Sequence, residues 1–320
     1  MPRLFLLLLA LNQAQVAFAL SQGFWVSCAR KIMGLSEKKA APSQLSRSLI
    51  GEDLLDVDTL AHYAKNALAL KPVGSGPVLS IVIPAYKEAQ RIERSLVSLK
   101  VFLARYPIDV EVLVMAQHPL GEPNDGTFQI AESVVGNDAR FRVQNLEQKG
   151  KGLAVREGVL QAKGDYVLFM DADLSTPLVE ILHFLSHFYE NPSSDLLIGS
   201  REQSVSYTDR SFVRNLVSKG NELLRKFLVG LPQISDTQCG FKAFKAEAAR
   251  EIFSRQTNNG FLFDVEVLLL ADRLHLQTDV AFINWIDEPV YSTVNARKEF
   301  AKMLHDLLLV RGAVNRAMNP

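Results

Sequence analysis

Cysteine is nearly absent: Cys28 and Cys239 are the only two in 320 residues, and they lie far apart. That excludes a disulfide framework and fits a reducing compartment. Neither sign of charge is in excess, with 35 Lys+Arg against 35 Asp+Glu. A balanced chain offers no global field for a polyanion, so no nucleic-acid partner is expected. The sequence also lacks internal repeats, low-complexity tracts and a C-terminal apolar stretch able to span a bilayer. What it does have is an apolar content of 48%, enough for a sizeable core in one large domain or two small ones.

The N-terminus leaves three readings open. Arg3 precedes Leu4–Leu11, then Asn12, Gln13 and Gln15 interrupt before apolar residues resume at Val16–Leu20. A spanning helix needs about 20 mostly apolar residues, which this segment approaches despite its amides. A cleaved targeting segment, with Ala17-Phe18-Ala19 as a cleavage-like site, and a peripheral helix are the alternatives. Arg30, Lys31, Lys38 and Lys39 would keep the body of the chain on the cytoplasmic side of a membrane. Residues 1–35 are therefore an anchor or targeting segment. Residues 36–77 form a linker with a short helix within Asp53–Leu70, and Lys71-Pro72-Val73-Gly74-Ser75-Gly76-Pro77 breaks the chain. Residues 78–320 form the main domain.

From Val78 onward, short apolar runs alternate with helical periodicity. Strands are expected at Val78–Pro84, Val110–Met115, Phe141–Asn145, Tyr166–Met170 and Asp195–Ile198, with helices over Glu88–Tyr106 and Leu153–Ala162. That alternation predicts an α/β fold, a mostly parallel sheet covered on both faces. Ligands in such sheets sit beyond the C-terminal ends of strands.

The chemistry-bearing residues fall at those ends. Asp171-Ala172-Asp173 follows Tyr166–Met170; two carboxylates one residue apart could hold Mg²⁺ or Mn²⁺, and through it a diphosphate, or could form an ordinary solvated turn. Pro84, Tyr86 and Glu88 follow the first strand. Glu88 could bind a base or ribose edge, or simply favour a helix N-terminus. Lys149-Gly150-Lys151-Gly152, with Arg156 one turn on, offers small residues and cations at a helix start, which suits phosphate oxygens but also ordinary Lys-Gly turns. His183 and His187 share an i, i+4 spacing without an evident third metal ligand.

Two segments have apolar faces with basic flanks and could lie on a membrane surface or pack on the core. One carries Phe212, Leu216, Leu223, Leu224 and Phe227; the other carries Phe300, Met303, Leu304, Leu307 and Leu308.

The motifs together resemble family 2 glycosyltransferases. Ile83–Glu88, Lys149–Arg156 and Asp171–Asp173 occur in that family's order and spacing. Asp236–Lys242 and Phe263–Glu266 resemble the polyprenol-phosphate sugar synthases, above all their dolichyl-phosphate β-glucosyltransferase group. The resemblance covers roughly 78–311. It implies a GT-A (Rossmann-like) fold, a nucleotide-sugar donor, Mg²⁺ or Mn²⁺ on Asp171 and Asp173, and inversion at the anomeric carbon. It further implies a polyprenyl-phosphate lipid acceptor held by Arg201, Arg214 and Ser218, with Asp236, Gln238 and Lys242 lining the same cleft. The implied reaction moves glucose from UDP-glucose to dolichyl phosphate at the cytoplasmic side of a membrane, the endoplasmic reticulum in a eukaryote. GDP-mannose as donor, or a non-lipid acceptor, is the alternative within the family.

One stretch departs from the family pattern. An Asp-Asp-Gly-Ser stretch usually follows the second strand; here the chain reads Met115-Ala116-Gln117-His118-Pro119, and Asn124-Asp125-Gly126-Thr127 comes later. Asp125 could take over, Gln117 could bind the base through neutral hydrogen bonds, or nucleotide binding could be lost, leaving a scaffold subunit. The oligomeric state is not legible.

Overall fold

The computed structural model describes residues 50–201, 234, 236–286 and 309–318. After a short 3₁₀ turn at Glu52–Leu54, the order is α1 (Val57–Ala69), β1 (Leu79–Tyr86), α2 (Ile92–Arg105), β2 (Val110–Gln117), α3 (Thr127–Val135) and β3 (Phe141–Leu146). Then come α4 (Lys151–Gln161), β4 (Tyr166–Met170), α5 (Glu180–Glu190), β5 (Leu196–Ser200), β6 (Phe241–Lys245), α6 (Ala246–Phe253), α7 (Phe263–Arg273) and β7 (Thr278–Phe282). Residues 309–318 are helical.

The strands form one sheet in the order β3-β2-β1-β4-β6-β5-β7. All neighbouring pairs are parallel except those of β6, which runs antiparallel to both β4 and β5. Strands covered on both faces need apolar side chains in both directions, and β4 is accordingly Tyr-Val-Leu-Phe-Met. The period of two divides β1 between the faces: Ile81 and Ile83 enter one core, Val82 the other. The first core takes Leu96 and Phe102 of α2, Ala131 of α3 and Phe184 of α5. The second takes Val155 of α4, Phe253 of α6, Leu268 of α7, and Val310 and Val314. The α/β sheet with helices on both faces is as expected, with β6 as its one reversal.

Several boundaries differ from expectation. Helix α2 begins at Ile92 rather than Glu88, because Glu88–Arg91 forms a turn in which Arg91 N donates to Glu88 O at 2.9 Å. Strand β2 runs two residues further, to Gln117, and β5 extends to Ser200. Helix α4 begins at Lys151, so this lysine lies in its first turn rather than in the preceding loop.

The segment before the main domain carries contacts of its own. Helix α1 is capped by Asp56, which accepts from Thr59 N at 2.9 Å. It lies against α5: Tyr63 stacks on His183 with centroids 4.6 Å apart, and Asn66 donates to Ser186 Oγ at 3.0 Å and Glu190 Oε1 at 2.8 Å. Among the described residues, no helix is long and apolar enough to cross a membrane.

Candidate active site

The strand order reverses at β1: successive strands move outward to β3, then the chain returns to place β4 on β1's other side. Such a switch point opens a crevice at the C-terminal ends of the two strands. The β1–β4 ladder ends at Val82–Phe169, so Pro84 lies where the ladder has opened and its missing N–H costs no bond to β4.

Asp171 and Asp173 flank this crevice. Ala172 between them is buried in the first core, which fixes the middle of the motif. Asp171 N donates to Gly240 O at 3.1 Å, and Asp173 Oδ1 accepts from Ser175 N at 3.0 Å across a turn with Leu174 at φ 59°. Gly240 leaves room for the Asp171 carboxylate: a Cβ there would lie 1.9 Å from Asp171 Oδ2, so a larger residue would displace it. Lys151 Nζ sits 2.6 Å from Asp171 Oδ1. Burial works against the Lys151 ammonium, but Asp171, Asp264 and Asp173 outweigh it and raise its pKa. Burial pushes the Glu88 carboxyl up; Arg91, bound at 2.7 Å, opposes this, while Asp173 and Asp171 add to it. Three carboxylates thus share one neighbourhood. Carboxylates are hard oxygen donors of the kind Mg²⁺ and Mn²⁺ take. No group of three or more His, Cys, Asp or Glu among the described residues could hold a metal ion by itself.

The Lys149–Gly152 segment, which ends in the first turn of α4, is clamped from two sides. A Cβ on Gly150, at φ 148°, would lie 2.1 Å from Asn259 O, and one on Gly152 would lie 2.2 Å from Asn258 O. The 257–259 backbone is in turn tied to buried Glu266, whose carboxylate accepts from Thr257 N at 3.0 Å and Asn258 N at 2.7 Å. On the other side Gln117 Nε2 donates to Gln148 O at 3.1 Å and Gly150 O at 2.8 Å. Gln117 is therefore engaged in holding the loop. Arg156 donates to Gln256 O at 3.2 Å and fastens α4 to the same segment.

Asp125 is likewise occupied. It accepts from Thr127 N at 3.1 Å, Thr127 Oγ1 at 2.7 Å and Ala89 N at 3.3 Å, and Glu88 N donates to Thr127 Oγ1 at 2.9 Å. It braces the loop after β1. The acid that reaches Tyr86 is one not anticipated from the sequence, Glu122. It accepts from Tyr86 OH at 2.6 Å and pairs with Lys87 at 3.1 Å and Lys149 at 3.4 Å. Bonds from Tyr86 and Lys87 draw its pKa down to about 2. Only its place in a Gly-Pro loop after a parallel strand marked it, and loop acids are common.

On the far side of β4, Arg201 forms a two-pronged pair with Asp236, Nε to Oδ2 at 2.7 Å and Nη2 to Oδ1 at 2.8 Å. Its guanidinium lies 4.9 Å from the Trp285 ring centroid. Asp171 is close enough to act electrostatically on Arg201. Lys242, expected to line the cleft, is fully buried and bonded to Asp264 Oδ1 at 2.5 Å. Gln238 is half-buried in the same segment. Arg214 and Ser218 lie outside the described residues, as do residues 1–49, Phe212–Leu228 and Phe300–Leu308. His183 and His187 bond elsewhere, to Glu180 at 2.9 Å and Asp279 at 3.0 Å.

Residues 80–253 match the profile of glycosyl transferase family 2. The chain belongs to glycosyl transferase family 2. Curated members of this family are similar to it over most of its length. The dolichyl-phosphate beta-glucosyltransferase of Saccharomyces cerevisiae is 34% identical over 250 residues, covering 73% of this chain and 74% of that protein. The enzyme of the same name from Dictyostelium discoideum is 29% identical, covering 72% and 75%. Among solved structures, glucosyl-3-phosphoglycerate synthase from Mycobacterium tuberculosis, in complex with Mn²⁺, UDP and glucosyl-3-phosphoglycerate, superposes with a TM-score of 0.58. It covers 80% of this chain and 85% of its own at 17% identity, which speaks to the fold. That fold is the GT-A fold of family 2 glycosyltransferases.

Proposed function

We propose that this chain transfers glucose from UDP-glucose to dolichyl phosphate, or another polyprenyl phosphate, inverting the anomeric carbon. One observation carries the reading: at the C-terminal end of β4, Lys151 Nζ lies 2.6 Å from Asp171 Oδ1. That contact sets an ammonium beside a carboxylate pair suited to a cation, and Arg201, just past the end of β5, is the candidate second cation. Bringing an anionic acceptor to an anionic donor requires that arrangement.

A lipid monophosphate has a second pKa near 6 and is largely ionised at pH 7. Its oxygen can attack the anomeric carbon directly; that C–O bond forms as the bond to UDP breaks, and the diphosphate leaves with the electron pair. No proton has to be removed, so no general base is required. Asp171 and Asp173 would hold Mg²⁺ or Mn²⁺, which when bound neutralises charge on the departing diphosphate. Lys151 supplies a fixed ammonium beside it. Arg201, oriented by Asp236, presents a planar guanidinium suited to the acceptor phosphate. Tyr86, Lys87, Glu122 and Lys149 would receive the nucleoside end of the donor.

The lipid acceptor implies that the enzyme works at a membrane surface. The basic residues after the apolar N-terminal segment favour a cytoplasmic catalytic domain, at the endoplasmic reticulum in a eukaryotic cell.

Radiolabelled UDP-glucose and GDP-mannose, each offered with dolichyl phosphate, test the reading. Label from UDP-glucose should enter the lipid. Transfer from GDP-mannose alone would replace the donor. No transfer from either, with no metal-dependent nucleotide binding, would leave a scaffold subunit as the better account.

A further inference from the structure

Lys242 and Asp264 form a buried ion pair that also holds the Cys239 carbonyl, next to Gly240. Lys242 belongs to β6, in register with Phe169 of β4 and Ile198 of β5, and its side chain is 0% exposed. Its Nζ donates to Asp264 Oδ1 at 2.5 Å and to Cys239 O at 2.6 Å, and lies 5.3 Å from the Phe169 ring centroid. Asp264 stands in the first turn of α7 and is 3% exposed. A buried ion pair gives weak grounds for stability, since two apolar groups of similar size often serve equally well. Its contacts indicate another use.

The carbonyl held by Lys242 precedes Gly240. Gly240 O receives Asp171 N, and the Gly240 Cα lies so near the Asp171 carboxylate that a Cβ would overlap it. A shift of the Cys239–Gly240 peptide therefore displaces Asp171. Asp264 meanwhile acts electrostatically on Lys151, the partner of Asp171. The pair thus touches both members of the Asp171–Lys151 contact, one through the backbone and one through charge.

We infer that Lys242 and Asp264 are positioning residues that set the Asp171 carboxylate to receive the cation and diphosphate. The inference rests on the glycosyltransferase reading above. It moves Lys242 from the surface of the cleft to its support. Outer groups that orient a metal-binding side chain typically govern metal affinity or activity by about 10- to 100-fold.

The test uses the full chain with Asp264→Asn, which keeps shape and removes one charge, and Lys242→Met/Asp264→Asn, which removes both. Folding is read by thermal melting, Mn²⁺ binding in the presence of UDP by electron paramagnetic resonance, and transfer as kcat and donor KM. Both variants should melt cooperatively, bind Mn²⁺ about tenfold or more weakly, and show a lower kcat. Folded variants with wild-type Mn²⁺ binding would overturn the inference. So would failure of both variants to fold, which would make the pair's contribution one of stability. If the wild type binds Mn²⁺ and UDP but transfers no sugar, the functional reading fails, while the Mn²⁺ titration still decides this one.

Discussion

Lys151 Nζ and Asp171 Oδ1 are 2.6 Å apart, an ion pair across the switch point of the sheet. A cation on Asp171 must share the carboxylate with this ammonium, so the two compete when no diphosphate is present. Lys151→Met should therefore bind Mn²⁺ alone more tightly than the wild type. It should also transfer glucose about 100-fold more slowly or worse, because a charge facing the leaving group is lost. Mn²⁺ titration and steady-state kinetics on the same preparation check both directions.

Gly240→Ala places a Cβ 1.9 Å from Asp171 Oδ2, against a backbone that also bonds Asp171 N. The overlap should cost about 1–3 kcal/mol of stability. Activity should fall further than that loss explains, because the displaced group is the candidate cation ligand. Melting curves and kcat at saturating donor separate the two effects.

Arg201→Lys keeps the charge and loses the fork that meets Asp236 through two nitrogens. An expected rise of about tenfold or more in KM for dolichyl phosphate, with donor KM little changed, would mark Arg201 as an acceptor-side residue. A change confined to donor KM would contradict that role.

The Arg201–Asp236 pair also gives a pH dependence. Burial pushes the Asp236 carboxyl up, but the bonds and charge of Arg201 outweigh it, so its folded pKa lies below the usual 3.8. A depressed acid stabilises the fold above its unfolded pKa and loses that contribution as pH falls through the folded value. The Tm difference between wild type and Asp236→Asn should therefore be full near pH 6 and shrink below about pH 4. A difference that grows on acidification would reverse the sign.

Gln117→Leu should release the Gln148 and Gly150 carbonyls and loosen the loop that leads into Lys151 and α4. Donor KM should rise about tenfold, the worth of one or two buried hydrogen bonds.

Much of this architecture was legible because buried parallel strands are continuous apolar runs. Tyr166–Met170 matched its expected bounds, whereas β1 and β2 each ran two residues past their expected ends, to Tyr86 and Gln117. Strand β6 was not legible: it is five residues long, contains two lysines, and owes its place to pairing with strands far away in sequence. Lys242 resembled a cleft residue for the same reason, since its partner Asp264 is 22 residues away and on a different element. Gln117 and Asp125 are the sequence's candidate replacements for the missing acidic stretch. The structure engages both in bracing loops, and brings Glu122 to Tyr86 instead, which no local periodicity could signal.

The most direct test of the central claim is transfer of labelled glucose from UDP-glucose to dolichyl phosphate by chelator-treated enzyme, before and after Mn²⁺ is restored, beside Asp173→Ala. Transfer that returns with Mn²⁺ in the wild type, and not in the variant, is the predicted result. Equal transfer with and without the metal, or undiminished transfer by Asp173→Ala, would contradict the account.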